Sequence, residues 1–185
     1  MSCGCERSAL QRLAQLLREQ GGLMATLVVA DGPARREHGP AQTAAAGPRA
    51  QGAPADYELL VEAIYEGYLL HYGVPRVIDS PEADLGLLAG DRLYALGLAK
   101  LVELGDTAAV AELADTITLS ALAHASGEPE LAGAVWGAGA RAVGWGSSEA
   151  HRRAKQLAFA GASEAMEAMR TSAVEAGPED ITAPH

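Results

Sequence analysis

The sequence predicts an all-α protein built as one shortened helical bundle. Hydrophobic residues make up 49% of the 185-residue chain, whereas aromatics account for 4%, with a single Phe. A core assembled from Leu, Ala and Val in those proportions suits close-packed helices better than a sheet. Apolar side chains also recur at helical spacing over most of the chain outside one Pro-rich segment.

In chain order, Ser8 is placed to cap a first helix. Leu10, Leu13, Leu16 and Leu17 then recur at helical spacing, and Gly21 and Gly22 stop the helix. Residues 1–22 are therefore assigned to an N-terminal helix. Pro33, Pro40, Pro48 and Pro54, with several Gly and Ala, interrupt the following stretch. It shows no periodic apolar face, so residues 23–55 are expected to form a flexible linker. Helical periodicity returns with Leu60, Val61, Ile64, Tyr65 and Tyr68, and ends near Gly73 and Pro75. Two strongly apolar helices are expected over residues 83–104 and 107–125, separated by Gly105 and Asp106. Two more are expected over 130–143 and 147–169, divided from the preceding helix by Gly127 and Pro129. The bundle domain thus runs over 56–171, with a disordered tail at 172–185.

A formal net charge of −10 disfavours nucleic acid and anionic lipid as partners, since both need a basic surface. No apolar run approaches the ~20 residues of a membrane span, and the first 20 residues lack a signal-peptide centre, so a cytoplasmic location is expected. Cys3 and Cys5 cannot complete a disulfide framework or a four-ligand zinc site locally.

Residues 59–75, LLVEAIYEGYLLHYGVP, run without a gap along the pattern LLHDDxxDxxxxRRGxP. Residues 87–105, LLAGDRLYALGLAKLVELG, follow xLxGDxLLxxAFxLLxxxG. Residues 158–167, AFAGASEAME, follow AFQxxDDxxD more loosely. The chain in these respects resembles the trans-isoprenyl diphosphate synthases, also called the polyprenyl synthetase family. Gly21 to Thr26 stand roughly where that family carries GGKRxRP.

The resemblance implies a shortened isoprenoid-synthase-like bundle whose chemistry has been lost. In the family, two aspartate-rich motifs hold Mg²⁺ ions that bind the leaving diphosphate, and such ions require close, hard carboxylate ligands. Here the first motif is reduced to Glu62 and Glu66, with Ala63 between them. The second is reduced to Ser163, Glu164 and Glu167. The paired arginines that clamp diphosphate become His71 and Tyr72, and the basic residues of the N-terminal motif become Leu23, Met24 and Thr26. No catalytic residue, metal ligand or cofactor is therefore expected in this chain; Mg²⁺ would enter only through a catalytic partner. Gly90 and Asp91 match the family's Gly-Asp pair and are expected to be structural, with Asp91 a buried or capping carboxylate. By the same resemblance, Leu88, Leu93, Leu96 and Leu101 are interface candidates, with residues 116–125 beside them.

The implied function is a non-catalytic subunit of a heteromeric polyprenyl diphosphate synthase, working with a DDxxD-bearing catalytic subunit or as a homodimer. Two other readings stand beside it: a helical protein that binds an isoprenoid or other lipid without turnover, and a relic prenyltransferase. Each singled-out residue also has an ordinary structural reading. Glu62 and Glu66, at i and i+4, would sit on a solvated face. His71, Tyr72 and His124 would be helix-end or partly buried residues, and Trp136 and Trp145 would anchor helix packing.

Overall fold

Ser8 opens the first helix by reciprocal capping: its hydroxyl accepts from the Gln11 N–H at 3.3 Å, and its own N–H donates to the Gln11 side chain at 3.1 Å. The computed structural model describes residues 8–29, 39–79 and 82–174. Within them the helices are α1 (Ala9–Gln20), α2 (Gly22–Leu27), α3 (Pro40–Ala46), α4 (Pro54–Tyr72), α5 (Ala83–Glu103), α6 (Thr107–Ala125), α7 (Pro129–Trp145), α8 (Glu149–Phe159) and α9 (Ala165–Val174). A 3-10 turn (Pro48–Ala50) follows α3. The protein is all-α. Among the described residues the extended structure is a single antiparallel bridge between Val28 and Ile78.

Two long helices organise the packing. α4 packs against α5, α3 and α1, and α7 packs against α6, α9 and α3. One apolar cluster joins α1 to α4 and α5 through Leu13, Leu17, Ala63 and Leu93. A second joins α3 through α7 around Val61, Ile64, Leu113 and Trp136. A third seats α8 and α9 on α6 and α7 through Leu119, Leu131, Val135 and Met169. Asp106 starts α6 by accepting from the Ala109 N–H at 2.9 Å, while also binding the Tyr57 hydroxyl at 2.6 Å and Arg49 at 2.7 Å. It therefore ties α6 to α4 and to the turn after α3.

The structure corrects the expected boundaries in three places. The segment expected as a linker, residues 23–55, includes α2, α3 and the 3-10 turn, and Ala41, Ala44 and Ala50 are buried in the core. A Cβ built on Gly47 would lie 2.2 Å from the Gly144 carbonyl carbon, so this segment meets α7 backbone to backbone. Its small side chains let it pack closely and hide it from any periodicity of large apolar residues. The expected helix over 147–169 is two helices, α8 and α9, because Gly161 takes a positive φ of 64° and turns the chain between them. Of the expected tail, residues 172–174 belong to α9, and 175–185 lie outside the described residues, as do Cys3 and Cys5.

Candidate functional site

Three glycines bring α4 and α5 together at the middle of the bundle. A Cβ on Gly97 would lie 2.3 Å from Ile64 Cγ1, one on Gly90 would lie 2.6 Å from His71 Cδ2, and one on Gly67 would lie 2.9 Å from the Gly90 carbonyl oxygen. Gly90 is thus a close-approach residue. Its neighbour Asp91, expected to be buried or capping, is instead exposed; its Oδ1 lies 3.2 Å from His71 Nε2 without an aligned hydrogen bond.

The same crossing fixes Glu62 and Glu66, which the sequence reading placed on a solvated face. Both are buried, at 3% and 0% exposure, because they point into the connection that follows α4. Glu66 Oε1 accepts the backbone N–H groups of Arg76 at 2.6 Å, Val77 at 2.6 Å and Ile78 at 3.4 Å. Its Oε2 accepts from Arg76 Nε at 3.2 Å, and the other end of that guanidinium binds Glu62. The cation also lies over the Tyr65 ring, 5.2 Å from its centre. Burial pushes the Glu62 carboxyl above its ordinary value, and Arg76 offsets that only in part.

The carboxylates therefore shape a loop. With the connection so held, Val29 donates to the Val77 carbonyl at 2.9 Å and Asp79 to the Leu27 carbonyl at 2.8 Å, which closes the bridge to the end of α2. The arrangement does not fit a divalent cation: the lone pairs a metal would need already face N–H groups, and a guanidinium stands between the two carboxylates. Among the described residues, no three His, Cys, Asp or Glu side chains converge on a possible metal position.

Ser163, Glu164 and Glu167 are not brought to Glu62 and Glu66. They lie exposed around the turn from α8 to α9, where Ser163 borders an open cleft of about 340 Å³ walled by Pro129, Leu131 and Met166. A second open cleft, of about 570 Å³, lies between the end of α4 and the start of α5, lined by Leu70, His71, Val74, Ile78 and Leu87. Family models, curated proteins and solved structures give no match to this chain.

Of the interface candidates, Leu93, Leu96 and Leu101 lie in the chain's own core at 0%, 7% and 0% exposure. Only Leu88, at 66%, is open to a partner. The spacing 93, 96/97, 101 is the stripe of α5 that faces inward. The outward positions of α5 include Leu88, Asp91, Arg92, Ala95, Ala99 and Val102, and those of α6 include Ala108, Ala111, Ala114, Thr118, Leu122 and Ala125. Residues 116–125 are divided between the two settings: Thr116, Leu119, Ser120 and Ala123 are buried, and Thr118, Leu122 and Ala125 are exposed.

Aromatic side chains fill the space between α4, α6 and α7. Trp136 is buried and meets the Tyr65 ring edge-on at 4.9 Å and the Tyr68 ring at 5.3 Å. The Tyr68 hydroxyl reaches His124 Nε2 at 3.0 Å, and Tyr72 stacks on His124 at 4.2 Å. Trp145 lies under the Arg141 guanidinium at 3.8 Å.

Two groups of interacting residues were not singled out from the sequence. Arg76 stands in a loop, 10 and 14 positions from its carboxylates, where no helical spacing reports a contact. Glu112, Asp115, His151 and Lys155 form a polar network 39 to 43 positions apart in the chain. The pairing of i,i+3 acids on α6 with i,i+4 bases on α8 is the one signal that could have suggested it.

Proposed function

We propose that this chain is a non-catalytic helical subunit, resembling those of heteromeric polyprenyl diphosphate synthases, that associates with a DDxxD-bearing catalytic subunit. The observation that carries the reading is the use of Glu62 and Glu66. At the positions where the resemblance expects metal-binding aspartates, both carboxylates are consumed by Arg76 and by the backbone of the following loop. A carboxylate buried with its own counter-ion serves folding, and a chain that keeps the helices while turning their acids inward has exchanged chemistry for structure.

A subunit of this kind needs a face for its partner. The outward faces of α5 and α6 and the turn between them suit that role: Leu88, Val102, Leu104 and Leu122 are 66%, 56%, 44% and 45% exposed, among alanines that permit close helix approach. The exposed positions of α6 from Ala108 to Ala125 carry no charge, whereas α5 exposes Asp91 and Arg92 between Leu88 and Ala95. Co-expression with an intact DDxxD-bearing synthase from the same organism tests the reading. Co-elution of the two chains and a change in product yield or chain length are the expected results, and independent elution with no change in product would refute it.

The open cleft between the end of α4 and the start of α5, where Leu70, Val74, Ile78 and Leu87 stand beside His71, Asp79 and Glu82, favours one alternative, an isoprenoid-binding protein without turnover. In that case lipid would be extracted from the purified chain alone, and no synthase would co-elute.

A further inference from the structure

The α8–α9 hairpin is fastened to the bundle differently from the other helices. The residues α8 fully buries are His151, Ala154 and Ala158; its one large apolar contribution is Leu157, partly buried against the apolar cluster of α6, α7 and α9. Polar contacts fasten it to α6. Glu112 Oε2 lies 3.0 Å from His151 Nε2, Glu112 Oε1 accepts from Lys155 Nζ at 2.9 Å, and the same ammonium donates to Asp115 at 2.7 Å. On the far side of the imidazole, Nδ1 lies 3.3 Å from the hydroxyl oxygen of Ser172 in α9. His151, Glu112 and Ser172 are all buried.

The hydrogens of this network can be counted. Ser172 has one hydroxyl hydrogen, and it is given to the Met169 carbonyl at 2.9 Å, so toward His151 the oxygen presents lone pairs. Glu112 is an acceptor only: burial raises its carboxyl, but hydrogen bonds from His151 and Lys155 outweigh burial and hold it down to about 2. Both ring nitrogens therefore face acceptors, and every bond is made only when both carry hydrogen. A neutral ring leaves one contact without a proton, unless Ser172 turns away from Met169. Charge gives the same answer. Glu112 and Asp115 oppose Lys155 alone, and an imidazolium at His151 brings the cluster to balance.

We propose that His151 is a proton-operated latch on the α8–α9 hairpin, holding it more tightly when the ring is doubly protonated than when it is neutral. His is the one member of the network whose ordinary titration range, near ~6.5, lies close to physiological pH. Of the other charged groups on α7, α8 and α9, Glu149 pairs with Arg152 at 2.6 Å, Glu130 with Arg170 at 3.8 Å and Arg141 with the Trp145 ring, while Arg153 and the acids Glu164 and Glu167 lie exposed. Release of the latch would loosen the cover over Leu119, Ala123, Leu131 and Val135, the apolar face on α6 and α7 that the hairpin protects.

Amide hydrogen exchange at about pH 5.5 and about pH 8, corrected for the intrinsic rate at each pH, tests the latch on the unaltered chain. Protection of α8 and α9, taken relative to α4 and α5, is expected to be about tenfold higher at the lower pH, as befits one charge-assisted hydrogen bond. An unchanged or reversed ratio would overturn the proposal. His151→Gln should abolish the difference in a folded protein, and its persistence there would remove His151 from the role. If that variant does not fold, the ring ¹⁵N shifts of the unaltered protein decide: two protonated nitrogens at the lower pH support the latch, and a neutral ring at both pH values refutes it.

Discussion

Arg76 Nε lies 3.2 Å from Glu66 Oε2, and around this contact the acidic pair of α4 becomes a structural element. Glu66 organises the loop after α4 through three backbone N–H groups, the loop returns Arg76 to Glu62 and Glu66, and the bridge to the end of α2 follows. Breaking a buried charge pair by removing one partner leaves an uncompensated charge and costs ~3–5 kcal/mol.

Arg76→Ala should therefore lower unfolding stability by about 3–5 kcal/mol in urea titrations. Arg76→Lys should fall between it and the unaltered chain, because an ammonium keeps the charge but cannot span both carboxylates. Millimolar Mg²⁺ should leave the Tm of the unaltered chain unchanged, since Glu62 and Glu66 are already occupied.

Helical glycines of two kinds should respond to Ala with opposite signs. Gly97→Ala drives a methyl group into Ile64 and should cost about 1–3 kcal/mol. Gly133 and Gly137, in α7 with open space around them, should become more stable as Ala by ~0.5–1 kcal/mol. Thermal unfolding of the variants separates the two classes.

Acid should weaken the attachment of α8 to α6. The Glu112 carboxyl is held at about 2, below its ordinary 4.5, so its stabilisation is complete above 4.5 and is lost as pH falls toward 2. The amount is on the order of 3 kcal/mol. Asp106, also held below its ordinary value, adds in the same direction. Denaturant midpoints measured between about pH 6 and about pH 2.5 should fall steeply for the unaltered chain and less steeply for Glu112→Gln.

Inward and outward positions of α5 and α6 should separate folding from association. Leu93→Asp buries an unpaired charge at a site with 0% exposure and should unfold the protein or leave it aggregated. Val102→Glu and Leu122→Glu, at 56% and 45% exposure, should change stability by less than about 0.5 kcal/mol. They should nevertheless abolish co-elution with a synthase partner.

The fold class and the long helices were legible because their signals are local. Ser8 caps α1 as read, and α6 runs over Thr107–Ala125 as read, with Asp106 of the expected break serving as its cap. What escaped depends on packing between distant parts of the chain. α3 is anchored by Ala41, Ala44 and the contact of Gly47 with Gly144, none of which makes a periodic face. Leu93, Leu96 and Leu101 read as strongly apolar, but hydrophobicity does not distinguish a face turned to the chain's own core from one turned to a partner. Glu62 and Glu66 read as a solvated pair because their counter-ion comes from a loop, where side-chain direction has no period. The geometry shows what the side chains of Glu62 and Glu66 do: they hold Arg76 and the loop after α4.

The most direct single measurement is product formation from an allylic diphosphate, isopentenyl diphosphate and Mg²⁺ by three samples: the purified chain, an intact DDxxD-bearing synthase from the same organism, and the two co-expressed. A non-catalytic subunit predicts no product from the chain alone and a changed yield or chain length from the pair relative to the synthase by itself. Turnover by the isolated chain, or a pair indistinguishable from the synthase alone, would contradict it.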